Sequence, residues 1–206
     1  MSNPWEEIRL TDYEAHMRLD SVRQLQAMNK IMADQWTACP AASAMLLGAA
    51  GGNGLEHVRP DQFRDLWCID INADYLAALR ARFPQLGSCL RCLRLDLTEQ
   101  AELLPQADLL IANLLIEYIG YEAFRRAVLQ AAPSYVSCVI QVNTDEANWV
   151  SDSPYLHVFD GLESVHHQIT EDGLTEVMQD IGYRAVRREV SPLPNGKQLV
   201  RLDYRI

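Results

Sequence analysis

The sequence predicts an α/β protein built on a doubly wound, largely parallel sheet. Three observations carry that expectation. Short apolar runs alternate with helix-spaced amphipathic segments through the first 143 residues; four glycines (Gly48, Gly51, Gly52, Gly54) directly follow the first apolar run; and a strand pair flanks "SPLPNG" near the end. Apolar strands separated by helices form βαβ units whose sheet is covered on both faces. Right-handed crossovers then restrict the topology to a doubly wound sheet.

Taken in order, "DSVRQLQAMNKIMADQ" spaces Val22, Leu25, Met28 and Ile31 as an amphipathic helix with Asp20 or Ser21 as its cap. "AMLLG" (44–48) is the first strand and "LWCID" (66–70) the second. "INADYLAALRARF" is a helix capped by Asn72, with Leu76, Leu79 and Phe83 on one stripe. "LRCLRLD" is a third strand ending at Asp96, "LTEQAELL" a short helix, "ADLLIANLL" (107–115) a fourth strand, "YEAFRRAVLQAA" a helix, and "YVSCVIQVN" (135–143) a fifth strand. "NTDEANWVSDSPYLHVFDGLESVHHQ" (143–168) lacks a clear period and reads as a functional loop or cover. "TEDGLTEVMQDIG" is a last helix ending at Gly182, and the terminal hairpin turns on Asn195-Gly196. One domain is expected over 1–206: an N-terminal helical cap (1–40), a cofactor-binding half (41–143) and an acceptor-side portion (144–206).

Composition excludes several classes. The chain has 206 residues, 49% of them apolar and 22% charged, which suits an ordered globular core. With 18 basic and 28 acidic side chains the formal charge is -10, a field that repels phosphate backbones, so no nucleic-acid partner is expected. Five cysteines in or beside apolar runs read as reduced thiols rather than a disulfide scaffold. "CLRC" has half the spacing of a zinc site without the other half, and no metal is expected. No apolar run spans a membrane and the N-terminus lacks signal-peptide features, so the expectation is a cytoplasmic protein without a membrane partner.

The glycines need a ligand or a packing reason. In an open parallel sheet, ligands bind beyond the carboxyl ends of strands where the order reverses, and glycines there let backbone approach closely. The position three beyond Gly54 is His57, so the dinucleotide fingerprint fails, and no Lys-Ser or Lys-Thr completes a Walker loop. No basic residue lies between Gly48 and Glu56, which suits a nucleoside joined to an amino-acid zwitterion better than a polyphosphate. Asp70, 22 positions after Gly48, can accept both hydroxyls of a ribose, or it can cap the next helix. Asp96 beside Leu97 can bind an adenine edge, or it too can be a cap or solvated turn. A nicotinamide enzyme shares the Asp70 logic and stands as a minor alternative.

Gly48, Asp70 and Asp96 in this order, together with "ADLLIANLLIEYI", resemble the class I S-adenosylmethionine-dependent methyltransferases. That resemblance implies a Rossmann-like seven-stranded sheet with the last strand antiparallel beside the sixth, helices on both faces and an N-terminal helical extension. It implies S-adenosyl-L-methionine as cofactor. The cofactor-binding residues it implies are Gly48, Ala49, Ala50 and Gly52 in the loop, Asp70 with Ile71 at the ribose, Asp96 with Leu97 at the adenine, and Asn113 with Leu114 beneath the methionyl part. Two positions depart from the family pattern: Ala50 replaces a glycine and Leu46 an acidic residue.

The implied activity is methyl transfer to a small-molecule acceptor by a monomer or homodimer. The alternatives are a protein methyltransferase and a cofactor-binding protein with weak or no turnover. On the acceptor side, Glu117 can bind or deprotonate an amine or hydroxyl and Tyr118 can orient it, while His16 in "YEAHM" can approach from the N-terminal helices. His157, His166 and His167 border the same region. Asn113 is followed by two leucines rather than two prolines, which argues against nucleobase-amine methylation.

Overall fold

The computed structural model describes residues 3–143, 150–151 and 153–206. Seven strands form one sheet in the order β3-β2-β1-β4-β5-β7-β6. They are β1 (Ser43–Leu47), β2 (Asp65–Asp70), β3 (Leu90–Arg94), β4 (Leu109–Asn113), β5 (Tyr135–Val142), β6 (Arg184–Pro192) and β7 (Gln198–Arg205). Neighbours among the first five are parallel, and β7 runs antiparallel between β5 and β6. The order reverses between β1 and β4, so the loops leaving these two strands open a cleft at the switch point.

The central strands are predominantly apolar because both faces are covered. On one face Met45, Leu47, Leu110 and Ala112 pack with Phe124 of α4 (Ile116–Ala131) and Leu174 of α5 (Glu171–Asp180). On the other, Ala44, Leu46, Leu109 and Ile111 pack with Met28 of α2 (Gln24–Gln35) and Leu79 of α3 (Ala73–Arg82). Successive residues of one strand therefore serve opposite cores, as the two-residue strand period requires. A short helix α1 (Leu10–Arg18) and a 3₁₀ turn, Pro4–Glu6, precede these layers.

Several expected boundaries differ, each for a local reason. Helix α2 starts at Gln24, after Arg23 in a left-handed conformation (φ 53°) and without a side-chain cap, so neither Asp20 nor Ser21 caps it. The helix expected at 97–104 is only a 3₁₀ turn, Ala101–Leu103. There the Asp96 carboxylate accepts from the Thr98 backbone N–H (2.9 Å) and hydroxyl (2.6 Å), a local turn that competes with helix. Strand β4 ends at Asn113 because Leu114 has φ 53°, and α4 begins at Ile116, ahead of the expected Tyr121. Gly120 (φ 72°) interrupts α4 after its first turn, where the His167 ring lies 3.3 Å from any added Cβ. The hairpin does not turn on a two-residue Asn-Gly unit. Leu193 N–H bonds to Lys197 C=O at 2.9 Å, and Gly196 takes the left-handed position (φ 82°) after Pro194 and Asn195.

Of the aperiodic segment expected at 143–168, residues 144–149 and 152 lie outside the described residues. Its described part includes a 3₁₀ stretch, Leu156–Ser164, whose Phe159 and Leu162 pack with Ile8. Among the described residues no helix is long and apolar enough to cross a membrane.

Candidate functional site

The turn after β1 is tied to β2 by two hydrogen bonds. Ala49 N–H donates to Ile69 C=O at 3.0 Å, and Ala50 N–H donates to Asp70 Oδ2 at 2.8 Å. The other carboxylate oxygen accepts from Asn72 N–H at 2.9 Å. Each oxygen therefore keeps further acceptor capacity. Burial pushes the Asp70 carboxyl up to about 6, against the pull of these backbone donors. The helix cap is Asn72, whose side chain accepts from Asp74 and Tyr75 N–H, leaving Asp70 to the loop.

The glycines divide into two groups. Gly48 (φ 66°) borders the cleft, and Ala50 beside it is also left-handed (φ 43°) although it carries a Cβ. Gly52, expected at the cofactor, instead lets α3 close behind the loop: an added Cβ would lie 2.7 Å from the Phe83 ring and 3.0 Å from Leu79. It borders none of the three cavities described next. Gly51 admits the α1–α3 clamp, in which Glu14 pairs with Arg82 and Arg82 also donates to Gly51 C=O at 3.1 Å.

Three cavities meet at this end of the sheet. The first, a cleft of about 80 Å³, is bordered by Gly48, Ala50, Asp70, Ile71, Asp96, Leu97, Asn113 and Leu114, so both acidic strand ends face one space. A second, about 50 Å³, runs past Gly48, Ala49, Ala50 and Asn113 toward α2. The third, about 670 Å³, lies over α4 and is bordered by His16, Glu117, Tyr118, His166 and His167. Tyr13 and Leu114 border all three.

Asn113 turns its amide away from the cleft into a reciprocal pair with Gln35 (2.8 and 2.9 Å), and Gln35 also bonds Ser137. His16 faces the large cavity rather than the cleft at Asp70 and Asp96. Its Nδ1 lies 2.8 Å from Ser153 Oγ and its ring packs on Phe159. Burial foremost, then Lys197, lowers its pKa to about 4, so it is neutral at pH 7. Glu117 is buried, its Oε1 accepts from Gln141 N–H at 2.7 Å, and its Oε2 has no partner among the described residues. Burial pushes its carboxyl up to about 7. Tyr118 stands edge-on to Trp5 (4.8 Å) and His166 (6.1 Å). His157 is exposed and pairs with Asp160.

Trp5 and Tyr75, which sequence reasoning did not single out, border the cleft together with Tyr13 of "YEAHM". Tyr13 stacks on Tyr75 and meets Trp5 edge-on, forming an aromatic wall over the cleft. The available signal was "NPWEE", whose Asn3 and Glu6 form a capping box that fixes Trp5. Arg187 pairs with Asp34 and Glu189, and Arg188 with Glu171. Among the described residues no group of three or more His, Cys, Asp or Glu is arranged to hold a metal.

No protein-family model and no curated protein matches the sequence. Solved structures do. The N-methyltransferase NodS from Bradyrhizobium japonicum WM9, in complex with S-adenosyl-L-homocysteine, aligns with TM-score 0.67 and 13% identity over 99% of this chain and 98% of NodS. The chain has the class I S-adenosylmethionine-dependent methyltransferase fold. Magnesium protoporphyrin IX methyltransferase (ChlM) from Synechocystis PCC 6803 with bound SAH matches at TM-score 0.61 and 11% identity, over 98% of this chain and 92% of ChlM. The [4+2]-cyclase SpnF matches at 0.66 and 11%, over 91% and 84%. In a further match to a longer protein, this chain covers 56% of that protein's length.

Proposed function

We propose that this protein transfers a methyl group from S-adenosylmethionine to a small-molecule acceptor. One observation carries the reading: Asp70 and Asp96 face a single cleft, and the Asp70 carboxylate is held there by the N–H of Ala50 in the β1 turn. A buried carboxylate with remaining acceptor capacity fits two vicinal hydroxyls, and a site without a basic side chain in its loop fits a nucleoside with no phosphate. Gly48, Ala49, Ala50, Asp70, Ile71, Asp96, Leu97, Asn113 and Leu114 hold the cofactor, with Gly52 shaping the loop from behind. Bound there, the cofactor supplies a methyl group already activated on positively charged sulfur.

The chain's own task is placement. Glu117, Tyr118 and His16 border the acceptor cavity, which meets the cofactor site at Tyr13 and Leu114. Orientation there accounts for several kcal/mol of rate acceleration in reactions of this kind. ChlM is named for a small-molecule acceptor, and the net charge of -10 disfavours nucleic acid. Five free cysteines accord with a cytoplasmic setting.

A second reading, binding without transfer, is favoured by the left-handed Ala50 at a family glycine position and by SpnF, named as a cyclase on the same fold. The test is calorimetric titration with S-adenosylmethionine, S-adenosylhomocysteine, NAD and ATP on the parent and Asp70→Ala. Binding of the first two alone, lost in the variant, supports the site; equal NAD binding refutes it. Cofactor binding with no demethylated product, whatever small molecule is added, selects the second reading.

A further inference from the structure

The large cavity holds a carboxylate whose placement has a chemical consequence. Glu117 stands on the first turn of α4, 7% exposed, with Oε1 fixed by the Gln141 backbone and Oε2 without a partner among the described residues. Leaving a buried carboxylate oxygen unmatched costs several kcal/mol, and an alcohol leaves the charge itself uncompensated. Only a cation balances both.

The surroundings point the same way. Among the described residues bordering the cavity, Glu117, Glu171 and Asp172 are acidic and Arg188 is basic, and Arg188 is already bound to Glu171 through two nitrogens at 2.5 and 2.8 Å. The imidazole of His16 is neutral at pH 7 for the reason given above, and burial lowers His166 as well. Trp5, Tyr13, Tyr118 and Phe159 also border the space, and aromatic faces attract ammonium groups.

We propose that the acceptor is a small amine with an apolar body, bound as its ammonium ion by Glu117 Oε2 and the aromatic wall. This rests on the methyl-transfer reading and names its substrate class. Glu117 also takes the proton: R–NH₃⁺ and the carboxylate become R–NH₂ and the carboxylic acid, which frees the nitrogen lone pair. The burial that makes the carboxyl more basic makes the ammonium more acidic, so the two approach a match. The groups facing Glu117 are Tyr118 on α4, Cys138 on β5, and His16, His166 and His167 around the cavity.

The test is titration of the full chain at pH 8 with 2-phenylethylamine, 2-phenylethanol and phenylacetate. The amine is expected to bind at least tenfold more tightly than either, with the preference lost in Glu117→Gln, which retains an acceptor for Gln141. Amine affinity should also fall about tenfold from pH 8 to pH 6 as Glu117 takes up a proton in the free protein. An amine that binds no better than the alcohol, or a preference unchanged in the variant, overturns the proposal. S-adenosylhomocysteine titrated in parallel separates the two claims: if it binds while the amine preference is absent, the acceptor class fails and the methyl-transfer reading stands.

Discussion

Ala50 donates its backbone N–H to the Asp70 carboxylate at 2.8 Å while held at φ 43°. Non-glycine residues in this region carry about 1–2 kcal/mol of strain. Strain of this kind persists where surrounding contacts over-determine it, and it gathers at ligand sites. Here the charge-assisted bond to Asp70 offsets it.

Ala50→Gly keeps the N–H and removes the strain, while adding chain freedom to the unfolded state. The expected result is S-adenosylhomocysteine affinity within about threefold of the parent and a melting temperature no lower. Ala50→Val places a β-branched side chain at a positive φ and should lower the melting temperature by several degrees. Differential scanning calorimetry with titration checks both variants. A stable Ala50→Val with full affinity refutes the strained-loop account.

Asp70 should make cofactor binding depend on pH. Its folded pKa, about 6, is above the ordinary 3.8, so its contribution to stability is full below 3.8 and is lost as pH rises through 6. Ligand binding runs in the opposite sense, because only the ionised form accepts both ribose hydroxyls without donating. Affinity for S-adenosylhomocysteine is expected to fall about tenfold from pH 8 to pH 5. The same titration on Asp70→Asn should show weak binding and little pH dependence; a parallel loss in that variant assigns the effect elsewhere.

The fold was legible because its signals are local and repeated: apolar strands, helical spacing, and the Asn72 cap, which accepts from two N–H groups as "DINAD" suggests. Asp70 and Asp96 were legible because strand ends in a parallel sheet converge without knowledge of side-chain packing. What sequence could not give was long-range. Gly52 looks like a ligand glycine until Phe83 and Leu79, distant in sequence, are seen against it. Trp5 reaches the cleft through its tie to Asn72, and Tyr13 through α1, whose Glu14 pairs with Arg82. The missing helix after β3 was a local competition won by the Asp96–Thr98 turn, which composition alone does not decide.

Glu117 should cost stability at neutral pH. Its folded pKa, about 7, exceeds the ordinary 4.5, so its stabilising contribution is full below 4.5 and is lost as pH rises through 7. The difference corresponds to about 3 kcal/mol as an order of magnitude. Glu117→Gln is therefore expected to be more stable than the parent at pH 8 and equal to it near pH 4.5. Urea unfolding at the two pH values measures this. A variant less stable at pH 8 refutes the unpaired buried charge.

The cleft at Asp70 and Asp96 is about 80 Å³, whereas sites for ligands the size of the proposed cofactor are roughly 300–1,000 Å³, so a wall is expected to move on binding. The sheet side is fixed by β1, β2 and β4, all buried. The opposite wall is Trp5 with Tyr13, and the polar ties of the Trp5 segment are Asn72 hydrogen bonds to Trp5 C=O (2.9 Å) and Glu6 C=O (3.5 Å) and a partly exposed Glu6–Arg94 ion pair, beside packing on Ile8, Phe159 and Leu162. Such surface pairs contribute at most about 1 kcal/mol, little against the binding energy available. Among the described residues Trp5 is therefore the tryptophan whose surroundings change on binding, since Trp36 is 1% exposed in the core and Trp67 stacks under Arg91 on β3. In a Trp149→Phe background, S-adenosylhomocysteine is expected to shift the tryptophan emission and to leave that of the added Trp5→Phe variant nearly unchanged while still binding it by calorimetry. A full emission change in that variant shows that the N-terminal segment is not the wall that opens.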